Sequence, residues 1–79
     1  MNTLLFKSYM VKNNDNQTTL SAFLGIPQSA LSARINGKIS FRQNEINAIR
    51  KRWNLTDAET VDIFFNDEVS NKDTNEIGA

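Results

Sequence analysis

The chain has 79 residues, contains neither cysteine nor histidine, and balances nine basic against nine acidic residues. This length supports one small domain with a limited core, and without cysteine no disulfide framework forms. Zinc would find only carboxylate ligands, and no nucleophile elbow or phosphate-binding glycine loop is present. We therefore expect no enzymatic activity, no cofactor, no metal site and no small-molecule substrate.

Charge is distributed unevenly along the chain. Residues 1–66 carry eight basic and five acidic side chains, a net charge of +3, whereas residues 67–79 carry one basic and four acidic, a net charge of −3. A basic body is compatible with nucleic-acid binding, although +3 is also ordinary for a small domain. Because only Val69 and Ile77 could anchor the last segment, we expect one domain over 1–66 and a flexible, disordered acidic tail over 67–79.

Five helices and no strand are predicted. The first covers about residues 2–13, with Leu5 and Tyr9 facing inward, and has no apolar run long enough for a signal peptide or a membrane span. The asparagine- and aspartate-rich stretch 13–16 predicts a loop. Asn16 at its end is a good N-cap for the second helix.

The second helix is followed by a tight turn. Leu20, Phe23 and Leu24 recur at i, i+3 and i+4, which predicts one inward apolar stripe. Gly25 can adopt a positive φ at a sharp helix exit, and Pro27 suits the first residue of the next helix.

The third helix ends at residues 36–37, where an Asn-Gly pair predicts a left-handed stop. Leu31 and Ile35 face inward on this helix. The opposite face carries short polar or methyl-bearing side chains, none of them acidic: Gln28, Ser29, Ser32, Ala33 and Asn36. Two helices joined by such a turn, with such an exposed face, are typical of a helix-turn-helix that reads the major groove of DNA.

The fourth helix is expected to open with a Ser40–Gln43 capping box and to end at Asn54. It carries an inward row formed by Ile46, Ile49 and Trp53. The basic run at 50–52 is interpreted as a solvated face with favourable charge near a helix C-terminus, with a distant phosphate contact as the alternative.

The fifth helix is expected to open with a Thr56–Glu59 capping box. Ala58, Val61 and Phe65 form one row along it, and Phe64 lies beside that row. Since one helix cannot bury both adjacent phenylalanines in the same core, one is expected to join Val61 inside. The other would lie outside with Ile63.

Two segments resemble a known family. The segment QSALSARING (28–37) is similar to the recognition helix and following turn of the phage lambda repressor and Cro family, whose members are five-helix DNA-binding domains. The segment WNLTDAETVDIFFN (53–66) resembles the last two helices of small Cro-like regulators from phages of Gram-positive bacteria. The resemblance covers about residues 3–66. It implies an all-α, lambda repressor-like fold and a Cro-like repressor in the cytoplasm of a bacterial host, binding palindromic operators in double-stranded DNA as a homodimer.

The resemblance also implies roles for single residues. It places four of them at base edges: Gln28, Ser29, Ser32 and Ala33. It places six of them at DNA phosphates: Asn16, Gln17, Asn36, Lys38, Ser40 and Arg42. For the two cations of this second group, an ordinary solvated surface charge is the alternative. By analogy with relatives whose fifth helix forms a two-fold contact, the dimer interface would comprise Ile63, Phe64 and Phe65, with the tail folding back over the exposed phenylalanine as the alternative.

Arg34 departs from the family pattern, since most relatives have an apolar residue there. By helical angle it points away from the DNA, so we expect its stem to cover the core and its guanidinium to pair with Glu45. A second function remains open, in which the same fold acts as a protein-binding antirepressor or antitoxin with weak DNA contact. Loss of DNA binding on changing Gln28 would distinguish the repressor from this alternative.

Overall fold

The computed structural model describes residues 1–66, and the predicted acidic tail at 67–79 lies outside the described residues. The described part is all-helical and has no strand, so the predicted all-α class is confirmed. The elements are α1 (Thr3–Lys12), α2 (Gln17–Leu24), α3 (Gln28–Ile35), α4 (Gln43–Trp53) and α5 (Asp57–Thr60), which continues as a π-helical segment (Val61–Phe65).

Local capping defines where the helices start, as the sequence predicts at two of them. The Asn16 side chain accepts a hydrogen bond from the Thr19 amide at 2.9 Å, and the Thr19 hydroxyl accepts from the Asn16 amide at 3.0 Å. Thr56 and Glu59 make the same reciprocal pair at the start of α5. Each pair satisfies two backbone N–H groups that the first helical turn leaves without a partner.

The predicted Ser40–Gln43 cap of α4 is wrong. The helix begins at Gln43, with Arg42 as its N-cap residue. The Glu45 carboxylate reaches back and accepts a hydrogen bond from the Arg42 amide at 2.9 Å. An acidic residue in the first turn therefore does the capping, in the position where the helix dipole favours negative charge.

The core is built around an aromatic cluster. The Phe6 ring is fully buried and lies 5.4 Å from Phe41, 5.2 Å from Trp53 and 5.9 Å from Phe64. Pairs of aromatic rings at such distances add to the area they bury. The other buried apolar residues are Met10, Leu20, Leu31, Ile35, Ile46, Ile49, Leu55 and Ile63.

Two apolar stripes face differently from the prediction. On α1 the deepest side chains are Phe6 and Met10, whereas Leu5 and Tyr9 only pack against the edge of the core. On α2 the predicted stripe is incomplete because Phe23 remains 43% exposed.

The phase predicted for the last helix is also wrong. Val61 is 46% exposed and Phe65 58% exposed, while Ile63 and Phe64 are buried. The inward row is Thr60, Ile63 and Phe64, at i, i+3 and i+4. A threonine can begin this row because its hydroxyl donates to the Thr56 carbonyl oxygen at 2.9 Å, so no polar group is left unpaired.

Asp15 links the α1–α2 loop to the end of α4. Its buried carboxylate accepts two hydrogen bonds from Arg52, at 2.9 and 2.8 Å, and one from the Trp53 indole at 2.7 Å. The Thr19 hydroxyl donates a fourth at 2.8 Å. These bonds, those from Arg52 foremost, hold the pKa of the Asp15 carboxyl well below its usual range, against the effect of burial. Arg52 thus helps to hold the α1–α2 loop against α4, in addition to belonging to the basic run that is interpreted as a solvated face.

We expect Asp15→Asn to lower the free energy of unfolding by about 2 kcal/mol at neutral pH, because the amide replaces an ionised acceptor with a weaker one and places its own N–H₂ among donors. Urea denaturation at pH 7 measures the change. Asp57→Asn is the matched control, since Asp57 pairs with Arg50 at the surface and its loss should cost no more than about 0.5 kcal/mol.

The same variant should also change the pH dependence of unfolding. Because the folded-state pKa of Asp15 is depressed, its contribution is present above the ordinary carboxyl value near pH 4 and is lost as the pH falls towards the folded value. Wild type should therefore lose stability more steeply than Asp15→Asn between about pH 4 and pH 2. Parallel acid-unfolding curves would contradict the role given to Asp15.

Candidate nucleic-acid interface

A left-handed glycine forms the corner between α2 and α3. Gly25 has φ 72° and ψ 30°, a conformation that costs a residue without Cβ little. The Ile26 amide then donates to the Ser21 carbonyl oxygen at 3.1 Å, which closes the end of α2. Pro27 is the N-cap residue of α3, whereas the sequence predicts it as the first helical residue. The two predicted helices and the turn between them are therefore present.

The inward side of α3 is fixed by two aliphatic residues, as predicted. Leu31 and Ile35 are buried in the core. The four predicted base-reading residues consequently lie on the outer side of the helix, Gln28 and Ser29 exposed and Ser32 and Ala33 half-buried. This surface offers an amide, two hydroxyls and a methyl group, and none of the four carries a charge.

A buried ion pair fixes the rotation of α3 about its axis. Arg34 Nε donates to Glu45 Oε1 at 2.9 Å, and both side chains are more than nine-tenths buried. Arg34 Nη1 also donates to the Ala30 carbonyl oxygen at 3.1 Å. The predicted pair is confirmed. Because Arg34 points into the α3–α4 contact, the opposite face of α3 has to point outward.

The predicted phosphate-contacting residues lie in two segments. Asn16 and Gln17 stand at the start of α2, where backbone N–H groups favour an anion, although the Asn16 oxygen already caps the helix. The others lie in the loop between α3 and α4: Asn36, Lys38, Ser40 and Arg42. All four of these are exposed, and Asn36 donates to the Ser32 hydroxyl at 3.3 Å.

The cations differ in how far they are neutralised. Arg34, Arg50 and Arg52 each pair with a carboxylate of the fold. Within residues 1–66, Lys38 and Arg42 take part in no ion pair. The two exposed positive charges beside α3 are thus available to an anionic partner, whereas most of the basic run on α4 is not.

Two residues of the expected dimer interface lie in the core of the single chain. Ile63 and Phe64 are buried, so the predicted outward position of Ile63 is wrong. Phe65 is exposed on the outer row of the last helix, and its predicted role in a dimer stays a prediction.

Residues 1–66 hold no group of three side chains placed to bind a metal ion. None of the helices in this range is both long and apolar enough to cross a bilayer. Comparison of the chain with protein-family models, curated proteins and solved structures gives no match.

The Arg34–Glu45 pair can be tested by a double-mutant cycle. We expect Arg34→Met and Glu45→Gln each to cost about 3 kcal/mol of unfolding free energy, because each leaves a buried charge without its partner. The double variant should cost clearly less than the two single changes together. Additive losses in urea denaturation would show that the two side chains do not depend on each other.

Proposed function

We propose that the chain is a sequence-specific DNA-binding transcriptional regulator with a lambda repressor-like fold, acting as a Cro-like repressor. The observation that carries this proposal is the geometry of α3. The Arg34–Glu45 pair and the buried Leu31 and Ile35 turn the uncharged face of the helix outward. An exposed helix that follows a tight turn and presents such a face suits the DNA major groove.

The side chains on this face match base-edge chemistry. The Gln28 amide can donate to and accept from adenine, and the hydroxyls of Ser29 and Ser32 can do either with several bases. The Ala33 methyl can contact a thymine methyl. Specificity would thus come from this face, and positioning from phosphate contacts at Lys38, Arg42 and the start of α2.

Repression would be steric, with a dimer covering an operator and blocking RNA polymerase or a competing repressor. Palindromic half-sites one DNA turn apart require two copies related by a two-fold axis. Phe65 is the exposed residue of the predicted interface that can serve this contact. Because a single side chain buries little area, we expect the dimer to form only on DNA.

A second function is favoured by one observation, the lack of any cation among the four base-reading residues. Low DNA affinity would suit an antirepressor or antitoxin, in which the same fold serves to bind a partner protein. Binding of DNA from upstream of the chain's own gene distinguishes the two functions.

We expect Gln28→Ala to weaken specific binding to that DNA by about 1–3 kcal/mol, because it removes a base-reading amide. Fluorescence anisotropy with labelled duplex measures it. Gln43→Ala is the matched control, since Gln43 is an exposed glutamine in the first turn of α4, and it should bind like wild type. Weak binding that is indifferent to sequence and to Gln28 would favour the antirepressor.

Lys38→Ala should weaken binding to all duplexes alike and reduce the slope of log affinity against log salt by about one, as expected of a phosphate contact. The matched control is Lys7→Ala, which removes an exposed lysine of α1. An unchanged slope for Lys38→Ala would make this lysine an ordinary solvated charge.

A further inference from the structure

A groove between α2 and α4 lies outside the base-reading face of α3. Two adjoining cavities of about 380 and 410 Å³ share Phe23, Asn44 and Ala48 as walls. We call their union the α2–α4 groove, and its main lining residues are Phe23, Leu24, Asn44, Asn47, Ala48 and Lys51. None of the four base-reading residues lines it, and Arg42 at its edge is the residue that it shares with the proposed phosphate contacts.

Phe23 gives the groove an exposed aromatic ring that is held in place. The ring is 43% exposed, and the Arg52 guanidinium lies 4.5 Å from its centre. Arg52 is itself fixed by two hydrogen bonds to Asp15. A ring stacked on an anchored guanidinium loses little freedom when a partner covers it, which favours binding.

The exposed charge of the groove has one sign, and the Glu45 carboxylate that also lines it is buried. The α2 helix has no ionisable residue, and the single carboxylate of α4, on Glu45, is buried against Arg34. Arg42 lines one cavity and Lys51 the other, about 13 Å apart along α4 from the helical rise. Cations therefore stand at both ends of a floor that is apolar at Phe23 and Ala48 and polar at its asparagines, and α2 and α4 expose no negative charge beside them.

We propose that the α2–α4 groove binds an acidic segment of a partner protein that carries one bulky apolar side chain. The apolar side chain would lie against Phe23 and Ala48, and carboxylates of the segment would meet Lys51 and Arg42. The span suits about two and a half helical turns or about four extended residues. A protein segment fits better than a nucleic acid because Phe23 and Ala48 offer an apolar contact between only two cations. This inference does not depend on the proposed DNA binding.

The probe is a displayed library of random 12-residue peptides, selected against the full chain in the absence of DNA. The expected result is enrichment of peptides with one aromatic or leucine residue flanked by at least two carboxylates. A synthetic peptide of the enriched sequence should shift the backbone amide NMR signals of Phe23, Asn47, Ala48 and Lys51.

Two variants and two controls test the assignment. Lys51→Glu, an exposed charge reversal, and Ala48→Glu, which fills the floor and repels acid, should each weaken peptide binding at least tenfold. Lys7→Glu reverses an exposed lysine of α1 and should leave peptide binding unchanged, as should Gln28→Ala. Because Gln28→Ala acts only on the DNA contact, failure of the proposed function and failure of this inference give different results.

Five results would overturn the inference. In the first two, the enriched peptides lack carboxylates, or they shift the signals of α3 instead. In the third, operator duplex alone shifts the groove signals, which would make the groove a nucleic-acid surface. In the fourth, removal of residues 67–79 shifts the Phe23 and Lys51 signals, which would make the chain's own acidic segment the occupant. In the fifth, dilution of the chain shifts the Phe23 and Lys51 signals, which would make a second copy the occupant.

Discussion

The carboxylate of Asp15 joins parts of the chain that are far apart in sequence. It accepts hydrogen bonds from Thr19 in the first turn of α2 and from Arg52 and Trp53 at the end of α4. These bonds fix where α2 begins against α4, and α2 in turn carries the glycine corner that sets the direction of α3. The position of the candidate DNA-binding helix α3 thus depends on a charge that is buried in the loop before α2.

A second ion pair, in which both side chains are buried, complements the first at the other end of α4. Arg34 and Glu45 tie α3 to the first turn of α4, so both ends of this helix hold a neighbour through a charge pair. Such pairs add little net stability compared with apolar residues of the same shape, but their geometry tolerates few alternatives. In a domain with so small a core, they favour one arrangement of the helices over others that would bury similar apolar area.

The sequence predicts the features that depend on neighbouring residues. Gly25 and Asn54 mark helix ends, both with positive φ, because few residues adopt that conformation easily. The Arg34–Glu45 pair could also be predicted, since helical angle alone excludes Arg34 from the outer face of α3. The Asp15–Arg52 contact spans 37 residues, and no local pattern indicates it. The phase of the last helix is not predicted correctly because the inward row begins with a buried threonine, and a polarity pattern assigns threonine to the surface. The base-reading and phosphate-contacting roles rest on a resemblance and stay predictions.

The chain contains a single tryptophan, and it lies at the junction that Asp15 makes. Indole emission depends on the polarity and hydrogen bonding around the ring, so Trp53 is an intrinsic optical reporter of this junction. Circular dichroism reports the helices as a whole, while Trp53 fluorescence reports the contact between the α1–α2 loop and α4. Comparing the two signals along one unfolding curve separates local opening at this junction from loss of the entire fold.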